Sequence, residues 1–538
     1  MAGDEEGGVR NRNEDTVKIS RQLPLAALSG ALVCISFPAR FGDLHLPELG
    51  FLGWIALVPL FFAVRRASPR RAFLVTFVSA AVWYSSSLFW LYRAMNTYGH
   101  LPASTSVLVL VLLVVIVSAF IALAPMFARL IESRWRGEFL VLLPAAWTAM
   151  EIFRNYFPAN GFPWSNVAVS QWRFLYAIQI SDVVGMYGVT FLVVWVNAFL
   201  AECAAKLAGQ EVSRFAQKAA VTALLAAVTL SYGFYRMGEV IEGLAGRPSV
   251  SVGMVQGNID QEEKWSKGAA QANLEAHRQG AKKLLESGVE MIIWPEASFP
   301  WPIETTDTEI DPRALGMPEE GAVVLPYTLL GAVAKTPEGN YHNSAFLFDG
   351  EGKIAGSYHK AHLVPFGEYV PYSKLLFFAK KLTEPVGNFV AGKSYAPLSA
   401  GGRKVGVLVC YEDVFPEIAR KETAAGAEFL ANLTNDAWYG RSSAPYQHLA
   451  ISVFRSVENR RFMVRATNSG VSAVVLPTGA TTVESPIFSR ALVASPVALM
   501  DVITPYTKLG DWFAWACAVY LAVGLAAVAA LRIKRRKG

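Results

Sequence analysis

Long uncharged apolar runs separated by short charged boundaries fill the first 236 residues, and the pattern then changes character. Such runs occupy 22–39, 49–64, 72–92, 104–128, 183–201, 219–235 and 512–531. A helix needs about 20 residues to cross a bilayer, so each run is a predicted span, with 49–64 the short one. The run 139–153, interrupted by Glu151, is an eighth. Glu151 and Glu202 sit at span edges, where they are expected to reach the membrane interface.

The boundaries carry an alternating charge signal. Arg10, Arg12, Lys18 and Arg21 precede the first run, and Arg65, Arg66, Arg70 and Arg71 separate the second and third. Arg129, Arg134 and Arg136 follow the fourth, and Lys206, Arg214 and Lys218 separate the sixth and seventh. Arg532, Lys534, Arg535, Arg536 and Lys537 follow the last. The loops between, 40–48, 93–103 and 154–182, are poorer in base. Every second boundary is basic, as cytoplasmic loops are, provided that 139–153 crosses. Residues 1–20 are then expected to be a disordered cytoplasmic tail and 21–236 a membrane domain of seven spans. Residues 237–510 form one extracytoplasmic domain, and 511–538 the last span with a basic cytoplasmic tail.

Segment 237–510 reads as alternating strands and helices. Short β-branched runs occur at Val250–Val255, Glu290–Trp294, Leu329–Val333, Ser344–Phe348, Val405–Cys410, Phe429–Leu433 and Val471–Leu476. Helical periodicity appears over Gln271–Glu286, Pro416–Ala425 and Gln447–Asn459. The alternation argues for a layered α/β domain, and such domains build their sites at strand ends.

Composition agrees with a membrane protein. Of 538 residues, 53% are hydrophobic and 17% charged, against roughly 25% charged in soluble domains. The net charge of +6 is modest and gathered at span boundaries, so nucleic acid is not an expected partner. Cys34, Cys203 and Cys517 lie in or beside apolar runs, and four cysteines so placed make no disulfide framework.

Cys410 stands apart from these. It ends the apolar run of Lys404-Val-Gly-Val-Leu-Val-Cys-Tyr-Glu-Asp413, where a strand would present a nucleophile. A thiol needs a base and a cationic neighbour. Ile293-Trp-Pro-Glu-Ala-Ser298 offers Glu296, and Tyr358-His-Lys-Ala-His-Leu-Val-Pro-Phe-Gly-Glu368 offers Lys360. His359 and His362 lack partner ligands at metal-binding spacing, and neither metal nor organic cofactor is expected. Leu375–Ala379, apolar yet outside the spans, is a candidate lipid-facing lid.

The three segments, in this order, resemble the Glu–Lys–Cys triad of the nitrilase superfamily. With the flanking spans, the chain is similar to that superfamily's membrane-embedded bacterial branch, the apolipoprotein N-acyltransferases. Gly161-Phe-Pro-Trp164, Met254-Val-Gln-Gly-Asn258, Asn435-Asp-Ala-Trp-Tyr-Gly440 and Arg465-Ala-Thr-Asn-Ser-Gly-Val471 fit the same resemblance. It implies an α-helical membrane bundle of about eight spans carrying an α/β nitrilase-like α-β-β-α sandwich. It further implies Glu296, Lys360 and Cys410 as catalytic residues, with Glu368 and Glu412 orienting Lys360 and bordering the pocket. Trp265, Tyr411 and Trp438 would be supporting or substrate-binding residues. The implied partners are a phospholipid acyl donor and a diacylglyceryl apolipoprotein acceptor, joined through a thioester on Cys410, in a bacterial inner membrane. Two other classes use the same features: a membrane-tethered carbon–nitrogen hydrolase with this triad, and a transporter or scaffold. Eight spans exceed what a tether needs, and spans almost free of ionisable residues give no ion path.

Overall fold

The computed structural model describes residues 18–41, 44–45, 48–135, 137–261, 264, 268–316, 326–369 and 389–537. Trp265, the Leu375–Ala379 segment and most of the expected N-terminal tail lie outside the described residues.

Each apolar run is helical. Among the described residues, four helices are long and apolar enough to cross a membrane: Ala103–Arg134, Ser181–Leu207, Phe215–Glu242 and Trp512–Arg535. A fifth is possible if Pro69–Ser87 and Trp90–Tyr98, bent by 48°, count as one span. Ile19–Ile35 and Gly50–Val64 are apolar but shorter. Helix length therefore does not reach the expected count of eight.

The helix Phe139–Arg154, with 16 residues, is shorter than those four. Most of its apolar residues, Leu140, Leu143, Ala146, Trp147 and Ile152 among them, are buried by protein, while Val141 and Phe153 are exposed. A helix that is hydrophobic on every side is a core helix or a span, and periodicity cannot separate the two. Glu151 does not reach an interface. It is fully buried and accepts Trp147 Nε1 (3.2 Å), Val167 N (2.9 Å) and Thr190 Oγ1 (2.8 Å). A buried carboxylate is tolerable only with such donors around it.

Two sheets form the second half. One runs in the order Ala491–Ala498, Ser249–Gln256, Met291–Ile293, Tyr327–Lys335, Tyr341–Phe348, Ile354–His359. Its centre is parallel and its flanks antiparallel. The other runs Thr481–Glu484, Ala473–Val475, Met463–Thr467, Phe429–Thr434, Arg403–Val409, Leu398–Ala400, again with a parallel centre. Strand alternation sorts the core. Val250, Val252, Met254, Ile293, Leu329 and Leu347 share one cluster with Val405, Val407 and Phe429 of the facing sheet. Val255, Ile292, Leu330 and Phe346 point the other way, onto Leu274, Ala281 and Leu284 of the helix Ala269–Glu286. The helices Pro416–Ala424 and Ala444–Asn459 cover the outer face of the second sheet, giving an α-β-β-α sandwich.

The sandwich docks on the helices through buried polar bonds. Ser181–Leu207 kinks at Gly185, whose φ is +68°; a Cβ there would lie 2.7 Å from the Tyr506 ring. Beside the kink, Met186 N donates to Glu458 Oε1 (2.9 Å), a residue of the sandwich. Arg460 donates to Asp182 Oδ2 (2.7 Å) and Gln179 Oε1 (2.6 Å), and Tyr232 and Arg236 complete the Asp182 carboxylate. Arg460 and Asp182 are both essentially solvent-free. Removing Arg460 leaves the buried Asp182 with Arg236 as its one remaining cation among the described residues and takes the donor from Gln179 Oε1 and Pro477 O. Arg460→Met is expected to cost about 3 kcal/mol and lower the thermal unfolding midpoint in detergent. An unchanged midpoint would contradict this account of the docking.

Candidate active site

The Arg403–Val409 strand ends in a 3₁₀ turn, Cys410–Val414. Cys410 itself takes a left-handed φ of +53°. That conformation costs an L-residue about 1–2 kcal/mol and has to be held by its surroundings. Two side chains hold it. Asn432, on the neighbouring strand, donates to the Cys410 carbonyl (3.0 Å). Glu412 accepts Val409 N at the mouth of the turn (2.7 Å).

Glu412 also reaches across to the segment that carries Lys360. Its carboxylate accepts Ala361 N (2.7 Å), His362 N (3.0 Å) and the Tyr358 hydroxyl (3.0 Å). It is fully buried, and burial lifts its pKa to about 7 against those donors. Glu412 thus orients the main chain after Lys360, while the ammonium is bonded by Glu368.

Lys360 follows the Ile354–His359 strand and is 1% exposed. Its Nζ donates to Glu368 Oε1 at 3.0 Å and lies 3.5 Å from Glu296 Oε1. Burial works against the ammonium, but Glu368 and Glu296 outweigh it, so its pKa rises and it stays charged. Asn343 bridges the two carboxylates, donating to Glu296 Oε1 (2.7 Å) and Glu368 Oε1 (2.6 Å). Val364 N holds the other oxygen of Glu368 (2.8 Å). Burial pushes the Cys410 thiol well above its ordinary value; Glu296 adds to this and Lys360 opposes it. The resting sulfur is therefore a protonated thiol beside a carboxylate and an ammonium. The arrangement can move one proton from sulfur to Glu296 and hold an oxyanion at Lys360.

The remaining expected residues fall around this centre. Tyr411 is buried, its ring parallel to Trp164 (6.3 Å) and edge-on to Phe415 (5.2 Å). Trp438 is partly buried and meets Tyr98 of the bent helix pair edge-on (6.3 Å). Trp164, from the helical half, also donates to Gln447 (2.8 Å) and packs on His448 (5.5 Å).

Sequence reasoning missed Asn343, Asn432 and a buried network beneath the turn. There, His448 Nε2 meets Asp413 Oδ1 (2.7 Å) and its Nδ1 meets Asp436 Oδ1 (2.9 Å). Arg465 bonds both carboxylates and Asn432 Oδ1 (2.9 Å). Despite burial, His448 and Arg465 hold the Asp413 and Asp436 carboxyls below their usual range. For His448, burial and Arg465 act downward, yet the two aspartates raise it above 6.5. Polar residues between apolar ones were the available signal, and nothing local says which of them meet.

Comparison with known proteins agrees with both halves. Residues 29–199 match the apolipoprotein N-acyltransferase N-terminal domain, and 251–504 match the carbon-nitrogen hydrolase family. An apolipoprotein N-acyltransferase of Geobacter metallireducens is 37% identical over 521 residues, covering 96% of each chain. The chain belongs to the apolipoprotein N-acyltransferase family. Another member, from Gloeobacter violaceus, is 31% identical, covering 93% of this chain and 94% of its own. Among solved structures, a nitrilase-superfamily amidase of Nesterenkonia AN1 aligns at 23% identity with a TM-score of 0.34. That alignment covers 49% of this chain and 96% of the amidase.

The His448 network makes a pH prediction. A group whose pKa is raised on folding contributes stability fully below its unfolded value, here about 6.5, and loses it as pH rises through the folded value. The stability advantage of the wild type over His448→Gln should therefore shrink as pH rises from about 6 to 9. Unfolding midpoints of both proteins across that range check it, and a constant difference would contradict it.

Proposed function

We propose that this protein transfers an acyl chain from a phospholipid, through a thioester on Cys410, to the α-amine of the N-terminal diacylglyceryl-cysteine of apolipoproteins. The observation that carries the reading is the Lys360 ammonium held between Glu296 and Glu368, in a site that also contains the left-handed Cys410 turn. Family membership supplies the acyl acceptor class.

In the first half-reaction Glu296 takes the thiol proton as Cys410 Sγ attacks the donor's ester carbonyl. A carbon–sulfur bond forms, and the oxyanion is met by Lys360 Nζ and a main-chain N–H. Collapse breaks the ester bond, and the proton on Glu296 leaves with the lysophospholipid. In the second, the acceptor amine attacks the thioester, Glu296 takes its proton, and the departing thiolate recovers that proton. Losing one oxyanion donor typically costs about 3–4 kcal/mol of barrier. The raised thiol pKa suits this order, because the thiolate then forms only as attack proceeds.

The alternating basic boundaries support a periplasmic catalytic domain over about 237–510, on an inner-membrane bundle in which the shorter helices also take part. A water-poor site facing lipid favours aminolysis of the thioester over hydrolysis. Trp265 and Trp438 are proposed as supporting or substrate-binding residues.

Cys410→Ala should abolish turnover, and Lys360→Ala should slow it by at least about a hundredfold. With phospholipid alone, the wild type should release about one equivalent of lysophospholipid and stall. A diacylglyceryl-cysteine peptide with a free amine should restart release, and its N-acetylated form should not. Continuous release without an acceptor would favour a hydrolase instead.

A further inference from the structure

A cavity of about 300 Å³ lies where the bent helix pair meets the sandwich, lined by Arg93, Thr97, Tyr98, Gly440, Arg441 and Phe488. It is at the small end of ligand sites, suited to a compact polar group rather than an acyl chain. Among the described residues, no acidic side chain lines it, and neither arginine has a carboxylate partner. In the base-poor boundaries of the helical half, Arg40, Arg154 and Arg173 each have a side-chain partner. Arg93 has none among the described residues.

The sandwich wall is held in place. Gly440 takes φ +59° and ψ −167°, a conformation open essentially to glycine alone, and turns the chain from the buried Tyr439 to the exposed Arg441. The Arg441 guanidinium lies over the Phe488 ring at 5.0 Å. Phe488 has a left-handed φ of +53°, and its N–H donates to Ser469 O (2.8 Å). A bulky residue at positive φ is an outlier that its surroundings have to hold.

Packing joins the cavity to the cysteine turn. Tyr411, next to Cys410, lies parallel to Trp164; Trp164 meets Tyr439 (5.9 Å), and Tyr439 meets Trp90 edge-on (4.6 Å). Trp90 opens the short helix that ends in Arg93. Asp436, which opens the turn before Gly440, belongs to the network under Cys410. The next helix, Ala103–Arg134, exposes Val107, Leu108, Val111 and Leu112 close to its start. An apolar face of this kind suits lipid tails, and the phosphates of a bilayer belong at its end.

We propose that Arg93 and Arg441 grip the phosphodiester of the donor phospholipid, one guanidinium from each half of the molecule. This assignment rests on the acyl-transfer reading for the lipid's role as donor. Guanidinium forks match phosphate oxygens bidentately, and such charge-assisted bonds are among the stronger ones. A neutral or cationic group in the cavity would leave both charges uncompensated. Because every phospholipid carries the phosphodiester, the grip positions the ester relative to Cys410 without selecting the headgroup.

Arg93→Gln, Arg441→Gln and the double variant test this, and because both residues are exposed their unfolding midpoints should match the wild type. Thioester formation on Cys410 is followed by mass spectrometry in maltoside micelles. The donors are phosphatidylglycerol and diacylglycerol, which has the same esters and no phosphate. Each single substitution should raise the phosphatidylglycerol concentration for half-maximal acylation about fivefold, and the double variant further. Acylation from diacylglycerol should be equal in every one of these proteins. An unchanged half-maximal concentration in the double variant, or an equal loss with both donors, would overturn the proposal. Inhibition of diacylglycerol acylation by millimolar inorganic phosphate, lost in the double variant, would assign the cavity to a free anion and overturn the lipid assignment. Lipid retention is measured separately, by native mass spectrometry of Cys410→Ala with and without the two arginines. If the wild type forms no thioester but phosphatidylglycerol retention still depends on the arginines, the acyl-transfer reading fails and the phosphate site stands.

Discussion

One carboxylate holds the two halves of the site in register. Glu412 accepts Val409 N on the cysteine side and Ala361 N and His362 N on the lysine side. Without it, the Cys410 turn and the Lys360 segment would be two strand ends from two different sheets. With it, the left-handed Cys410 is fixed relative to an ammonium already oriented by Glu368 and Glu296. Charge-assisted bonds to main-chain N–H groups are among the stronger ones available, and fixed geometry is what a reacting thiol needs. Strain at Cys410 and Ala297 sits where the site is built, as expected of backbone held by over-determined surroundings.

The helical half forms part of this scaffold. Trp164 packs beside Tyr411 and His448, so the floor of the cysteine turn is made from both halves. The kink at Gly185 gives its neighbouring N–H to Glu458, and Asp182 receives Arg460. Such buried polar bonds specify one docking geometry more than they add stability. That geometry fixes the position of the Cys410 turn relative to the apolar helices.

The chemistry was more legible in the sequence than its support. Cys410, Glu296 and Lys360 each lie at or just after a strand end, and their segments carry the resemblance to the nitrilase superfamily. The alternation of Val250, Val252 and Met254 against Val255 shows which strand face is the inner one. By contrast, Asn343, Asn432 and the His448 network act through contacts between distant segments, which no local pattern encodes. The Met463–Thr467 strand was missed because Arg465 interrupts its apolar run; its charge is buried against Asp413 and Asp436. Apolarity reports burial, whether by lipid or by protein, so the runs alone do not fix the number of spans, and Phe139–Arg154 is packed mostly against protein.

The central claim is that a phospholipid's acyl chain rests covalently on Cys410. Intact-protein and peptide mass spectrometry of the wild type, incubated with a phospholipid of one defined acyl chain, tests it most directly. The account predicts a mass gain of one acyl group, located on the Cys410 peptide and released by neutral hydroxylamine, as a thioester is. A protein that processes the phospholipid while Cys410 stays unmodified, or that carries the acyl group on another residue, would contradict it.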